Sequence, residues 1–219
     1  MSKQQHSRKP ALTLETIAAT LAPFGIRLSE SQLSCIRDYV ELLLMWNQSV
    51  NLTAIEDPVE IVARHFGESL FAASFLDFGV SRLADVGSGA GFPGLPLKIA
   101  FPDVKIWLFE SNAKKRAFLT EIVQRLDIEN VDIRRQRYEE VRPAGEWFDF
   151  VCARALGDYA RLLSWARGMT RPGSRVVLWL GTEDSIRVGR HKACLWDAPV
   201  AVPESRRRVI LAGRIRFDV

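Results

Sequence analysis

The sequence predicts an α/β protein: a mixed, mostly parallel β-sheet with helices on both faces, preceded by a helical N-terminal extension. Three observations carry this. From Ser81 onward, short apolar runs alternate with helix-period segments, the pattern of buried strands joined by crossover helices. The first of these runs, Leu83-Ala84-Asp85-Val86, leads into a glycine-rich turn and then a helix start at Leu95-Pro96-Leu97. Before residue 80 the chain shows helical spacing only. Its 219 residues, 47% of them hydrophobic, can bury a full core. Residues 1–12 read as a flexible basic arm, 13–79 as the helical extension and 80–219 as the sheet domain.

In the extension, Leu14, Ile17, Ala18 and Leu21 recur at helical spacing, and Pro23 to Gly25 stops the run. Ser29 and Gln32 form a capping box with Leu28 and Leu33 as its hydrophobic staple, which opens a helix reaching about Asn47. Asp57-Pro58-Val59-Glu60 supplies an N-cap, a proline at N1 and an acid at N3, so a third helix starts there and runs to about Leu76. On it Arg64, His65, Glu68 and Ser69 interrupt apolar neighbours. His65, Glu68 and Ser69 lie at i, i+3 and i+4 and share a face, which suits either the lining of a site or a solvated surface.

Strands are expected at 82–87, 104–110, 131–135, 148–153 and 175–180, and helices at 93–100, 113–126 and 159–168. Pro172-Gly173 is a turn before the fifth strand. Residues 207–218 can form a terminal strand, and 182–204 fit strand and helix equally. Internal repeats and low-complexity segments are not seen.

The chemistry concentrates at Asp85-Val86-Gly87-Ser88-Gly89-Ala90-Gly91-Phe92-Pro93-Gly94. Glycines let the backbone approach a nucleotide, and the following helix start offers free N–H donors. From Gly89 the segment matches the dinucleotide fingerprint G-x-G-x-x-G. From Asp85 it reads D-x-G-x-G-x-G, the first turn of S-adenosylmethionine methyltransferases. Strand position favours the second pattern, because the apolar run ends at Val86 and Gly89 opens too late for a dinucleotide turn. Asp85 at the strand end suits the sulfonium and amino group of S-adenosylmethionine and would repel a pyrophosphate. Glu110, ending the second strand, can accept both ribose hydroxyls. Arg154, ending the fourth, lies where ligands bind in such sheets, or else forms a structural ion pair.

A net charge of +4 and a pI near 9.1 permit a polyanionic partner without requiring one. Basic clusters occur at Lys114-Lys115-Arg116, at Arg134-Arg135 with Arg137, and at Arg206-Arg207-Arg208. The cysteines, Cys35, Cys152 and Cys194, are sparse and lack metal-ligand spacing, so a reducing cytoplasm and no metal are expected. No run approaches a membrane span, and the polar N-terminus is not a signal peptide, so no membrane partner is expected. Asn51-Leu52-Thr53 matches a glycosylation acceptor only by pattern. Cys152 sits within a strand and lacks the preceding proline of cytosine-methylating nucleophiles. It reads as a small core residue. The Asn-Pro-Pro-Tyr signature of exocyclic-amine methyltransferases is missing as well.

Together these motifs resemble a known family, the bacterial small-subunit rRNA guanine-N7 methyltransferases, also called glucose-inhibited division protein B. The matching residues are Trp46-Asn47 with Asn51-Leu52-Thr53, Arg64-His65 with Ser69, and Asp85 through Leu97. Glu110-Ser111 with Lys115-Arg116 and Phe118-Leu119 follows, then Arg137 with Glu139-Glu140, and Asp149 with Arg154-Ala155. The resemblance covers roughly residues 28–180. It implies a Rossmann-like class I fold and S-adenosylmethionine as cofactor, with S-adenosylhomocysteine as product. The implied cofactor-binding residues are Asp85, Gly87, Gly89, Gly91, Phe92, Glu110, Ser111, Tyr138, Glu139 and Arg154. Arg154, His65 and Arg64 are implied in catalysis, positioning substrate or RNA phosphate. Asp85 and Glu68 could stabilise the cationic product ring, and Trp46, Tyr138 and Phe92 could stack on bases. The implied partner is 16S rRNA or the small ribosomal subunit, met by a cytoplasmic monomer. Two departures stand out: Glu68 where the family usually has Asp, and Leu180-Gly181 where it usually has Lys-Gly. A methyltransferase acting on a protein or small molecule, and a non-catalytic nucleotide-binding ribosome-docking protein, remain as alternatives.

Overall fold

The computed structural model describes residues 12–142 and 147–217. The arm expected over 1–12 lies, Leu12 apart, outside the described residues, as does Asp218. In the extension, α1 (Leu14–Leu21) is capped by the Thr13 hydroxyl, and a 3-10 turn (Ala22–Phe24) ends at Gly25 with φ 72°. The capping box forms as expected: Ser29 accepts from Gln32 N, Gln32 answers on Ser29 N, and α2 (Glu30–Asn47) follows. Asp57 caps α3 (Pro58–Ile61). The expected single helix then departs from α geometry. Val62–Gly67 is a π segment, followed by one α turn, α4 (Glu68–Leu70), and a 3-10 turn (Phe71–Ser74). Such π insertions rotate the following side chains around the axis.

The sheet contains β1 (Arg82–Val86), β2 (Lys105–Phe109), β3 (Val131–Arg134), β4 (Phe148–Arg154), β5 (Thr170–Gly181), β6 (Cys194–Trp196), β7 (Val200–Ala201) and β8 (Arg208–Ile215). Helices α5 (Gly94–Ala100), α6 (Ala113–Arg125), α7 (Tyr159–Met169) and α8 (Thr182–Gly189) complete the chain. Strand order is β3-β2-β1-β4-β5-β8-β6, with β7 also pairing β8. The pairs from β3 to β5 are parallel, and β8 runs antiparallel to β5, β6 and β7. β5 starts earlier than expected and absorbs Pro172-Gly173. Gly173 sits at φ 96°, beside a register shift between Phe148 and Phe150. Residues 182–204, undecided in the sequence, become α8 and the short strands β6 and β7.

Alternation along the strands divides the core in two. Leu83, Ile106, Phe150, Cys152, Trp179 and Ile210 face the extension, α5 and α6. Ala84, Val86, Val151, Leu178, Leu180 and Leu211 face α7 and α8. Leu180, 1% exposed, is therefore a core position of the α7 face, and leucine there is what packing asks for. Tyr39 on α2 donates from its hydroxyl to Ala90 O at 2.5 Å, which ties the extension to the glycine turn.

Candidate functional site

In the sheet, β1 lies between β2 and β4, so the connections leave it in opposite directions. The crevice beyond the carboxyl ends of β1 and β4 is the place where open α/β sheets take ligands. β1 ends at Val86, and Gly87 is the first residue of the turn, where the end of the apolar run puts it. Gly87, Gly89 and Gly91 have φ of 73°, 58° and 87°, a left-handed path that side chains disfavour. Gly87 N and Ser88 N donate to Phe109 O at 2.9 and 3.2 Å. Glu110 braces the same turn: Oε2 accepts Gly89 N at 2.9 Å and Oε1 accepts Asn112 N at 2.7 Å. Each carboxylate oxygen keeps a further lone pair for a ligand hydroxyl.

A cavity of about 260 Å³ opens beside this turn. Gly87, Glu110, Ser111, Tyr138 and Glu139 line it, together with Leu156, which the sequence reading did not single out. Tyr138 stands edge-on to Trp165 with ring centroids 5.3 Å apart, which fixes the wall. Glu139 is held 3.4 Å from Arg161. These five expected residues come from three separate segments, and the fold brings them to one opening.

Three others expected at the ligand turn inward. Asp85 is fully buried beneath the turn, where Oδ2 accepts Gly94 N at 3.0 Å and Oδ1 has no hydrogen-bond partner among the described residues. Its carboxyl shapes the start of α5 and does not face the cavity. Burial pushes its pKa up to about 7, against the opposing pull of the Gly94 amide. A Cβ at Gly94 would lie 2.7 Å from Asp85 Oδ2, so the close approach needs glycine there. Gly91 is buried against Tyr39 and Leu95. Phe92 is 7% exposed and packs on His65 at 4.7 Å and Tyr39 at 5.6 Å between ring centroids. Phe92 thus offers no free face for a base, whereas Trp46 is only half-buried, meeting Phe118 edge-on and bonding Glu121 through Nε1 at 3.1 Å.

Beyond β4 lies a second group. Glu68, 1% exposed, receives Arg154 Nη2 on Oε2 at 3.0 Å. Arg64 Nε is 3.1 Å from Oε1, close but out of hydrogen-bond alignment, and Arg208 Nε is 3.7 Å from Oε2. Arg154 Nη2 also bonds Arg64 O at 3.0 Å, and Trp179 Nε1 bonds Glu68 O at 2.7 Å. Burial lowers Arg154 to about 10, opposed by Glu68, so it stays charged at neutral pH. His65 Nε2 lies 2.7 Å from Thr53 Oγ1. Asn47 folds the 47–53 loop into place by bonding Leu52 N, Thr53 N and Thr53 O. Burial, then Arg154, Arg208 and Arg64, hold the His65 pKa down at about 3. His65 is therefore held neutral, with Nε2 engaged by the Thr53 hydroxyl. Glu68 is matched by arginines and Asp85 is enclosed, so neither is a free anion for a cationic product.

The sequence reading missed the hub role of Glu68, the part of Thr53 and the arrival of Arg208. The signal for Thr53 was its fixed spacing from Trp46-Asn47. Arg208 had only its place in a basic run.

The sequence pattern of the rRNA small subunit methyltransferase G family matches residues 32–201. The ribosomal RNA small subunit methyltransferase G of Pseudomonas fluorescens (strain Pf0-1) is 37% identical over 190 residues, 87% of this chain and 81% of that protein. The protein of the same name from Roseiflexus castenholzii is 44% identical over 157 residues, 70% of this chain and 67% of the relative. Among solved structures, a SAM dependent methyltransferase from Aquifex aeolicus superposes with a TM-score of 0.60 at 15% identity, over 73% of this chain and 94% of that one. TrmN from Thermus thermophilus gives 0.57 at 14% identity, over 71% of this chain and 48% of that one. Those two likenesses speak to the fold, a Rossmann-like class I methyltransferase sheet. With the glycine turn at the switch point and a match over most of its length, the chain belongs to the rRNA small subunit methyltransferase G family.

Proposed function

We propose that this protein transfers the methyl group of S-adenosylmethionine to N7 of a guanine in 16S rRNA, acting as a cytoplasmic monomer on the RNA or the small subunit. The observation that carries this reading is the cavity beside Gly87, with Glu110 at its edge. It fits a nucleoside. The backbone of Gly87 is exposed, Glu110 keeps lone pairs for two ribose hydroxyls, and Tyr138 and Leu156 give an apolar wall. Gly87, Gly89, Glu110, Ser111, Tyr138 and Glu139 would hold the cofactor. Bound there, S-adenosylmethionine supplies an electrophilic methyl carbon on a sulfonium.

Guanine N7 already presents a lone pair, so no side chain has to remove a proton. The residues at hand agree with that: His65 is neutral and held by Thr53, and Glu68 is committed to arginines. What the protein contributes is alignment and the exclusion of water. Arg64 and Arg154 lie beside the crevice and would hold the RNA backbone. Single-stranded RNA is the expected form of the target, because an A-form helix buries the N7 edge in its narrow groove.

A mass-spectrometric map of 7-methylguanosine in 16S rRNA, with and without the gene, tests the reading. One modified guanine should disappear without it, and an unchanged map sinks the assignment. Gly87→Asp should abolish S-adenosylmethionine binding in calorimetry. A Cβ at Gly87 meets Leu156 Cδ1 at 3.4 Å on a left-handed backbone, so an acidic side chain would strain and fill the turn. Unchanged affinity would place the cofactor elsewhere.

A further inference from the structure

The rRNA reading leaves open what grips the RNA next to the target base. We propose that Arg208 is a further RNA-positioning residue: it joins Arg64 and Arg154 on Glu68 as a third cation and completes a site for one phosphodiester of the RNA backbone. The proposal rests on the rRNA methyltransferase reading for the identity of its anion.

Three elements supply the arginines: the π segment, the end of β4 and the start of β8. All three converge on one carboxylate, so the cluster carries an excess of two positive charges. A single buried glutamate with one arginine would be balanced. Here the second and third guanidinium groups repel one another unless another anion joins them. Arg154 Nη1 is buried and has no acceptor among the described residues, which is costly for a guanidinium N–H. The side chains of Arg64 and Arg208 are 36% and 37% exposed, so they flank the buried Arg154 and open the cluster to solvent on the ligand side of the sheet. Guanidinium forks match the geometry of a phosphate oxygen pair.

The arrival of Arg208 follows from topology. On β8, Ile210 and Ala212 point to the extension and Leu211 to α7. Arg208 therefore shares the face of Ile210 and also of Arg154, which follows Phe150 and Cys152 on β4. It pairs across from Gly181, whose lack of a side chain leaves the strand end uncrowded. Leu180 faces the opposite core, so a lysine there would not have entered this cluster directly. Arg206 and Arg207 of the same basic run are exposed on the loop before β8.

The test measures equilibrium binding of under-methylated small ribosomal subunits over a range of salt, for the wild type, Arg208→Leu and Arg208→Lys. Affinity for S-adenosylmethionine is measured in parallel by calorimetry. Arg208→Leu should weaken subunit binding about tenfold. It should also reduce the slope of log affinity against log salt by about 0.7, one phosphate contact on single-stranded RNA. Arg208→Lys should recover most of the slope, and cofactor affinity should stay at the wild-type value. An unchanged slope in Arg208→Leu overturns the proposal. So does a loss of cofactor affinity at unchanged slope, which would give the cluster to the cofactor carboxylate. Tritiated-methyl transfer to the same subunits is scored separately. Wild-type protein that binds subunits with the expected slopes but never labels them would sink the methyltransferase reading while the arginine site stands.

Discussion

At the scale of single residues, the carboxyl of Asp85 is enclosed beneath the glycine turn, with Oδ2 on Gly94 N. Asp85, Glu110 and Arg154 sit at the ends of β1, β2 and β4 as their apolar runs imply. That Asp85 turns under the loop depends on Gly94 arriving with no side chain, a contact made only once α5 has packed. The consequence is a pH dependence of defined sign. The Asp85 carboxyl titrates near 3.8 in the unfolded chain and near 7 in the folded one. The native state therefore holds the extra proton between those values, and stability contributed by neutral Asp85 is lost as pH rises from about 4 to about 7. The span is about three pH units at about 1.4 kcal/mol each, or about 4 kcal/mol as an upper figure. Asp85→Asn keeps an acceptor for Gly94 N and cannot ionise. Urea unfolding at pH 5 and pH 8 should show the variant gaining on the parent by about 2–3 kcal/mol at the higher pH. Parallel behaviour of the two proteins would mean that Asp85 titrates normally.

At the scale of elements, local signals served where the structure is local. The capping box before α2 and the Asp57-Pro58 start of α3 form as read, because a cap involves residues three apart. The π segment was invisible, since Val62–Gly67 has the same apolar spacing as an ordinary helix. The glycine that ends it has a packing reason. Phe24, 3% exposed, lies over Gly67, and a Cβ there would fall 2.5 Å from Phe24 Cε2. Gly67→Ala should therefore destabilise the protein by about 1–3 kcal/mol through overpacking, although alanine is the better helix former. Adding Phe24→Leu should return part of that loss in urea titrations; if the double variant is less stable by the sum of the two, the clash is not the cause. The strands β6 and β7 went unread for another reason. They have three and two residues and are strands only because β8 passes beside them. For the same reason the site of Arg208 could not be read, since it is set by pairing with β5.

At the scale of the whole molecule, the boundary near residue 80 marks a change of secondary structure rather than a break in the core. Tyr39 and Phe66 of the extension pack on Phe92, and Tyr39 also meets Phe118 of α6. One buried cluster runs from Ile17 through Leu83 and Phe118 to Ile210. We expect the full chain to unfold in one transition, with tryptophan fluorescence and far-ultraviolet circular dichroism coinciding. A fragment of residues 80–219 should lack a cooperative transition, because it exposes the apolar face that α2 and the π segment cover. A fragment that unfolds cooperatively on its own would divide the molecule into two units. The bond from Tyr39 to Ala90 couples two positions far apart in sequence. A side chain at Gly91 would strike the Tyr39 hydroxyl, and a smaller residue at 39 would forfeit its bond to the turn. The glycine turn therefore keeps its shape only while the helical extension holds it from outside the sheet.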